Sequence, residues 1–208
     1  MAVADKTIAP RILESARKEF LKAGYEQASL KQICEMAGVT TGALYKRYKG
    51  KEELFFEVVK ETVARMEEIA SEKSNRDLSK MTDRELYDAW DMKREYMIWW
   101  FRFLYERKED FVLLIKYAQG TRYSDFQHDW VEKMSVSTYA YYQEAVRRGL
   151  VETRLSEKEL HVLTSAFWTT IYEPFIHDFT WEEVERHSNR VCEFIDWHKT
   201  LRFKAGEE

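Results

Sequence analysis

Apolar residues recur along this 208-residue chain mostly at intervals of three and four, the spacing that lines one face of an α-helix. Ile12, Leu13, Ala16 and Phe20 predict a first helix from about Ile8 to Ala23, with Pro10 tolerated in its first turn and Gly24 ending it. Leu30, Ile33, Cys34 and Ala37 share a face of a second helix, which Ser29 starts in a capping box with Gln32. That helix stops at Gly38, where the turn needs a residue free to take a positive φ. Leu44 and Tyr48 mark the inner side of a third, short helix of about seven residues, capped by Thr40 or Thr41. A fourth starts near Lys51 and carries Leu54, Phe55, Val58, Val59, Thr62, Met66 and Ile69 before polarity rises from Ser71 to Lys80.

The rest of the chain announces its helices by capping boxes: Thr82 with Glu85, Ser124 with Gln127, Ser156 with Glu159 and Thr180 with Glu183. With stops at Gly120 and Gly149 these predict helices over 83–107, 109–118, 124–148, 157–178 and 181–203, with Pro174 kinking one of them near its end. Seven Gly, two Pro and few alternating β-branched stretches make the expected class all-α. A head over residues 1–50 leaves a body over 51–208, linked by the helix from about 51 to 73.

Charge sharpens that division. Residues 1–51 hold ten Lys and Arg against five Asp and Glu, although the whole chain carries a net charge of −4. A basic end on an acidic chain is the footprint of a nucleic-acid contact, and the acidic remainder repels a phosphate backbone. Within the head, Leu44 and Tyr48 facing inward leave Thr41, Gly42, Tyr45 and Lys46 on the outer side of a helix small enough for a major groove about 12 Å wide. Hydroxyls and cations suit phosphate oxygens, and Lys or Arg suits the acceptors of guanine. Tyr45 and Lys51 are assigned to phosphate, and Thr41, Lys46 and Arg47 to base edges; Ser29 and Thr40 complete the DNA-binding set.

The run Ala37-Gly38-Val39-Thr40-Thr41-Gly42-Ala43-Leu44-Tyr45, followed by Tyr48 and Lys51-Glu52-Glu53-Leu54, resembles the signature of tetracycline-repressor-type (TetR/AcrR) regulators. The likeness extends back through Arg11, Ile12, Leu13, Ala16, Phe20, Gly24 and Tyr25, and covers roughly the first 60 residues. Cys34 stands where that family usually has alanine, and Lys46-Arg47 replaces the more usual aromatic followed by an aromatic or His, so a relative's base preference does not transfer. The resemblance implies a three-helix helix-turn-helix head on a helical ligand-binding and dimerisation body. It also implies a homodimeric repressor released from a palindromic operator on double-stranded DNA by a small-molecule effector.

In the body, Trp99, Trp100 and Phe101 are consecutive and fan out around a helix, so at least one must leave the core. Trp90, Glu95, Trp99, Phe103, Trp130, Tyr142, Phe167 and Tyr172 are the candidate effector contacts. With Asp91, Asp129 and Glu144 near the same rings, a flat, cationic effector is one expectation and an ordinary aromatic core the other. The last two helices carry Leu163, Phe167, Ile171, Val191, Phe194 and Ile195, the candidate dimerisation residues.

Catalysis is not expected, since the five His show no metal or nucleophile spacing, and no glycine-rich phosphate loop is present. No cofactor or metal is expected either. Cys34 and Cys192 lie far apart without a metal-site spacing, which suits a reduced cytoplasmic compartment, and no apolar run approaches the length of a membrane span. The other class of function is a small-molecule binding protein on the same scaffold without operator recognition.

Overall fold

The computed structural model describes residues 7–204. Their helices, in chain order, are α1 Ile8–Gln27, α2 Leu30–Ala37, α3 Thr41–Tyr45, α4 Lys51–Ser74, α5 Asp83–Asp88, α6 Arg94–Tyr105, α7 Lys108–Lys116, α8 Phe126–Arg147, α9 Glu157–Ile176, α10 Trp181–Phe194 and α11 Trp197–Leu201. A short 3-10 turn lies at Leu78–Lys80. Extended pairing among the described residues is confined to a bridge between Val151 and Phe203, so the fold is all-α.

The chain forms two compact units. The first runs to Glu67 and takes in Arg107–Gln127; the second holds Glu68–Glu106 and continues from His128. The unit around the helix-turn-helix is therefore larger than residues 1–50, because α7 packs along α1. Asp110 of α7 accepts from Arg17 Nε at 2.7 Å and from Thr62 Oγ1 at 3.0 Å, tying α7 to both α1 and α4. Phe20 centres this core and meets Phe55 edge-on at 5.2 Å, with Ile12, Ala16, Ile33, Leu44 and Leu54 fully buried around it. Gly24 takes φ 72°, breaking α1 where expected, and Tyr25 N then donates to Tyr117 O at 3.0 Å.

In the second unit the boxes at Thr82–Glu85, Ser156–Glu159 and Thr180–Glu183 form, each with both of its hydrogen bonds. The box expected at Ser124 does not. Ser124 Oγ instead accepts from Gly120 N and donates to Thr121 O, while Gln127 Nε2 donates to Ile115 O at 2.7 Å. Two long helices also divide. The segment expected over 83–107 is interrupted after Asp88, with Trp90 turned into the core against Trp197; Asp88 and Asp91 put carboxylates at the negative end of α5. The segment expected over 181–203 breaks at Ile195, whose backbone is extended, and restarts because the Asp196 side chain accepts from Lys199 N. Helix α9 runs through Pro174 and ends two residues later.

Leu86, Trp90, Tyr141, Tyr142, Ala145, Leu160, Trp197 and Leu201 pack together in this unit. Arg148, just past the end of α8, fastens one side of it by donating to Leu78 O at 2.7 Å and Met81 O at 2.6 Å and by pairing with Asp83 and Glu144. Hydrogen bonds from Arg147 and Arg148 hold the Glu144 carboxyl down at about 2. Arg148→Met strands two carbonyls and a carboxylate, so its urea midpoint should fall clearly below that of the parent protein. Arg147→Met, which removes an exposed guanidinium, should leave the midpoint nearly unchanged; equal effects would contradict the anchoring role of Arg148.

Candidate nucleic-acid interface

The helix-turn-helix is built from the outside in. Ser29 Oγ accepts from Gln32 N, and Gly38 takes a left-handed conformation (φ 62°, ψ 42°) that lets Val39 N return to Cys34 O at 3.0 Å. The reciprocal half of the expected Ser29 box is supplied from another helix. Glu19, only 3% exposed, accepts from Ser29 N at 3.0 Å, and the Gln32 amide faces the same carboxylate. Thr40, rather than Thr41, caps α3 by accepting from Ala43 N at 3.2 Å. Arg11 clamps the turn itself, donating to Ala37 O at 2.6 and 3.0 Å and to Gly38 O at 3.2 Å. Spacing alone could not assign that role, because the partners lie 26 and 27 residues further on.

Leu44 and Tyr48 are buried, as their spacing predicts. Thr41, Gly42, Tyr45 and Lys46 stand exposed on the opposite side, Tyr45 with 57% of its surface open. Helix α3 has five residues rather than seven, about 7.5 Å of axis, which still fits across a major groove. The two remaining cations are placed differently from expectation. Arg47 Nη1 folds back to Ala43 O at 3.1 Å, and Lys51 Nζ donates to Glu26 O at 2.8 Å and Ala28 O at 3.2 Å while lying 4.8 Å from the Tyr25 ring centroid. Both complete backbone carbonyls of the head, so neither is brought onto the exposed face with Lys46. Carbonyls left open at the end of a helix attract such cations.

The family model described as "Bacterial regulatory proteins, tetR family" matches residues 12–58, the span of this geometry. The head belongs to the tetR family. Among curated relatives, the HTH-type transcriptional repressor AcnR of Corynebacterium glutamicum is 34% identical over 99 residues, covering 46% of this chain and 53% of AcnR. The regulator YhgD of Bacillus subtilis is 36% identical over 61 residues, covering 29% of this chain and 32% of YhgD. The chain thus spans about half the length of AcnR. Over most of the chain the fold is similar to that of solved regulators. NalD of Pseudomonas aeruginosa superposes with TM-score 0.61 at 19% identity over 89% of this chain and 93% of NalD. FadR of Bacillus subtilis, solved in complex with stearoyl-CoA, gives 0.57 at 16% over 89% of this chain and 96% of FadR.

The candidate effector residues are spread through the second unit. Trp90 and Tyr142 sit in the Leu86–Leu201 core, where Tyr142 Oη donates to Thr153 O at 2.9 Å and accepts from Leu155 N. Phe103, Trp130 and Tyr172 are buried in a second ring cluster organised by Trp168, which meets Trp100 and Trp130 edge-on at 5.7 and 5.6 Å and stacks on Tyr172 at 5.9 Å. Trp168 was not among the candidates, because a single ring on an apolar helix carries no signal that it centres others. Phe167 is half-buried and touches both clusters through Trp168 and Trp197. Of the consecutive trio, Trp100 and Phe101 go inward and Trp99 is 45% exposed, as the fan predicts. The carboxylates do not gather around a cation site: Asp91, Glu95 and Asp129 are exposed, and Glu144 is already held by two arginines.

The candidate dimerisation residues divide in the same way. Ile171 and Val191 are buried within this chain, and Leu163, Phe167 and Ile195 pack against its core, so only Phe194, 77% exposed, is open for a second chain. The apolar stripe read from the sequence is the internal face of α9. Its outer face carries Val162, Ala166 and Thr169.

The two lysines of the head can be told apart without DNA. Lys51→Met should lower the stability of the protein by about 1 kcal/mol through the lost carbonyl and ring contacts, whereas Lys46→Met should leave thermal unfolding unchanged; the reverse order would contradict the placement of both side chains.

Proposed function

We propose that this chain is a cytoplasmic, homodimeric transcriptional regulator, a repressor that leaves a palindromic operator when its body binds a small molecule. The observation that carries the reading is the outward face of α3, Thr41, Gly42, Tyr45 and Lys46, on a head of the tetR family. Lys46 serves as the direct base or phosphate cation, Tyr45 and the Thr41 hydroxyl serve the backbone, and Gly42 lets the helix approach the duplex closely. Ser29 and Thr40 act through their caps, and Arg47 and Lys51 by fixing the head, with Lys51 still within reach of a phosphate at the start of α4. The names of AcnR and NalD, both repressors, support repression. The stearoyl-CoA in FadR supports a ligand site in the body.

A single head reads one half-site, so an operator with two half-sites about 34 Å apart requires two chains. Val162 and Phe194, 65% and 77% exposed on α9 and α10, support pairing through that surface. The chain passes from the first compact unit to the second inside α4, which supports this helix as the lever between effector and head. Linkage then requires DNA to weaken effector binding by the factor by which the effector weakens DNA binding.

Lys46→Ala should weaken binding to DNA from upstream of the protein's own gene by about tenfold and reduce the salt dependence by about one counterion. Fluorescence anisotropy at several salt concentrations measures both. A variant that binds as the parent does, with the same preference over random duplex, would contradict the assignment of α3. The absence of any such preference in the parent would favour a ligand-binding protein without operator recognition.

A further inference from the structure

The second unit contains a half-buried cation without a carboxylate among the described residues. Lys73, near the end of α4, is half-buried, and desolvation acts on its ammonium. It donates to Thr138 Oγ1 at 3.2 Å and lies 5.6 Å from the centroid of the Tyr141 ring, and no Asp or Glu among the described residues forms an ion pair with it. Burial pulls its pKa down to about 8, so it is still largely ammonium at neutral pH. A second cation, Arg76, hydrogen-bonds with Tyr141. One turn before Thr138 on the same side of α8, Ser135 is 4% exposed and its hydroxyl has no hydrogen-bond partner among the described residues.

The same unit carries an open ring surface on α6. Tyr96 and Trp99 of α6 are 51% and 45% exposed and stack at 6.1 Å with 13° between their planes, and Trp99 continues the stack onto Phe103 at 5.8 Å. Burial first, and then the neighbouring Tyr141, push the Tyr96 hydroxyl's pKa up, which puts the ring stack near the residue that Lys73 and Arg76 approach. A desolvated ammonium with no counter-charge destabilises a folded protein and persists where a ligand supplies the opposite charge. Exposed stacked rings suit an apolar, flat body on that ligand.

We propose that Lys73, Thr138 and Ser135 receive the carboxylate of an organic acid whose apolar body lies on Tyr96 and Trp99. The assignment rests on the reading of the chain as a ligand-responsive regulator and names its effector as an anion. It replaces the flat cation that the carboxylates near the aromatic residues had suggested.

The test is calorimetric titration of the full chain, without DNA, with naphthoate and with naphthamide, its uncharged counterpart. Naphthoate should bind at least about tenfold more tightly than naphthamide. Lys73→Met should abolish that preference, and Lys73→Arg should retain most of it. Because the substitution removes a desolvated charge without a carboxylate partner, Lys73→Met without ligand should melt no lower than the parent; a lower midpoint would make Lys73 a structural residue and overturn the site. Equal affinity for acid and amide, naphthoate binding unchanged in Lys73→Met, or no naphthoate binding at millimolar concentration would each overturn it as well. DNA release is read separately. Lys73-dependent binding that leaves DNA affinity unchanged supports the anion site and refutes its role as effector site, whereas specific DNA binding without naphthoate binding refutes the anion site alone.

Discussion

Helix α3 is five residues long, far below the dozen or so that an isolated helix needs to persist in water, so its direction is decided by what it is fastened to. Leu44 and Tyr48 press one side of it into a core around Phe20 and Phe55, Thr40 satisfies its first turn, and the left-handed Gly38 sets the angle at which it leaves α2. Arg11 then ties the turn back to α1. The outward presentation of Thr41, Tyr45 and Lys46 is the consequence. A substitution that loosens Leu44 would therefore disturb that outward face without touching it.

What was legible in the sequence was what depends on neighbours three or four residues away. Three of the four capping boxes in the body form because each closes within one turn, and the inner face of the helix-turn-helix follows from the spacing of Leu44 and Tyr48. Long-range partners were illegible. Glu19 completes the Ser29 cap from ten residues away, Lys51 takes carbonyls from the end of α1 instead of standing free, and Ser124 finds the Gly120–Thr121 turn before it can cap α8. Asp196 could restart a helix only once Ile195 had gone extended, a choice made by packing and not by periodicity.

The same limit explains the body. A stripe of apolar residues on α9 names a buried face, but not whether its partner is the same chain or a copy; Ile171 and Val191 are covered within the chain, and Phe194 is not. The candidate effector contacts were likewise read as one set, where the rings divide between a core around Trp197 and a cluster around Trp168. Lys73 was invisible as a site because its character comes from what is missing around it. A lysine near a helix end ordinarily reads as a solvated charge, and only burial without a carboxylate changes that meaning.

The proposed function requires α3 to read a defined sequence in the major groove, twice per dimer. Hydroxyl-radical footprinting of the purified protein on DNA from upstream of its own gene tests it most directly. Two protected patches are expected on one face of the duplex, centred about one helical turn, or a multiple of it, apart, at protein concentrations that leave random duplex unprotected. Uniform protection that rises equally on both DNAs would contradict it.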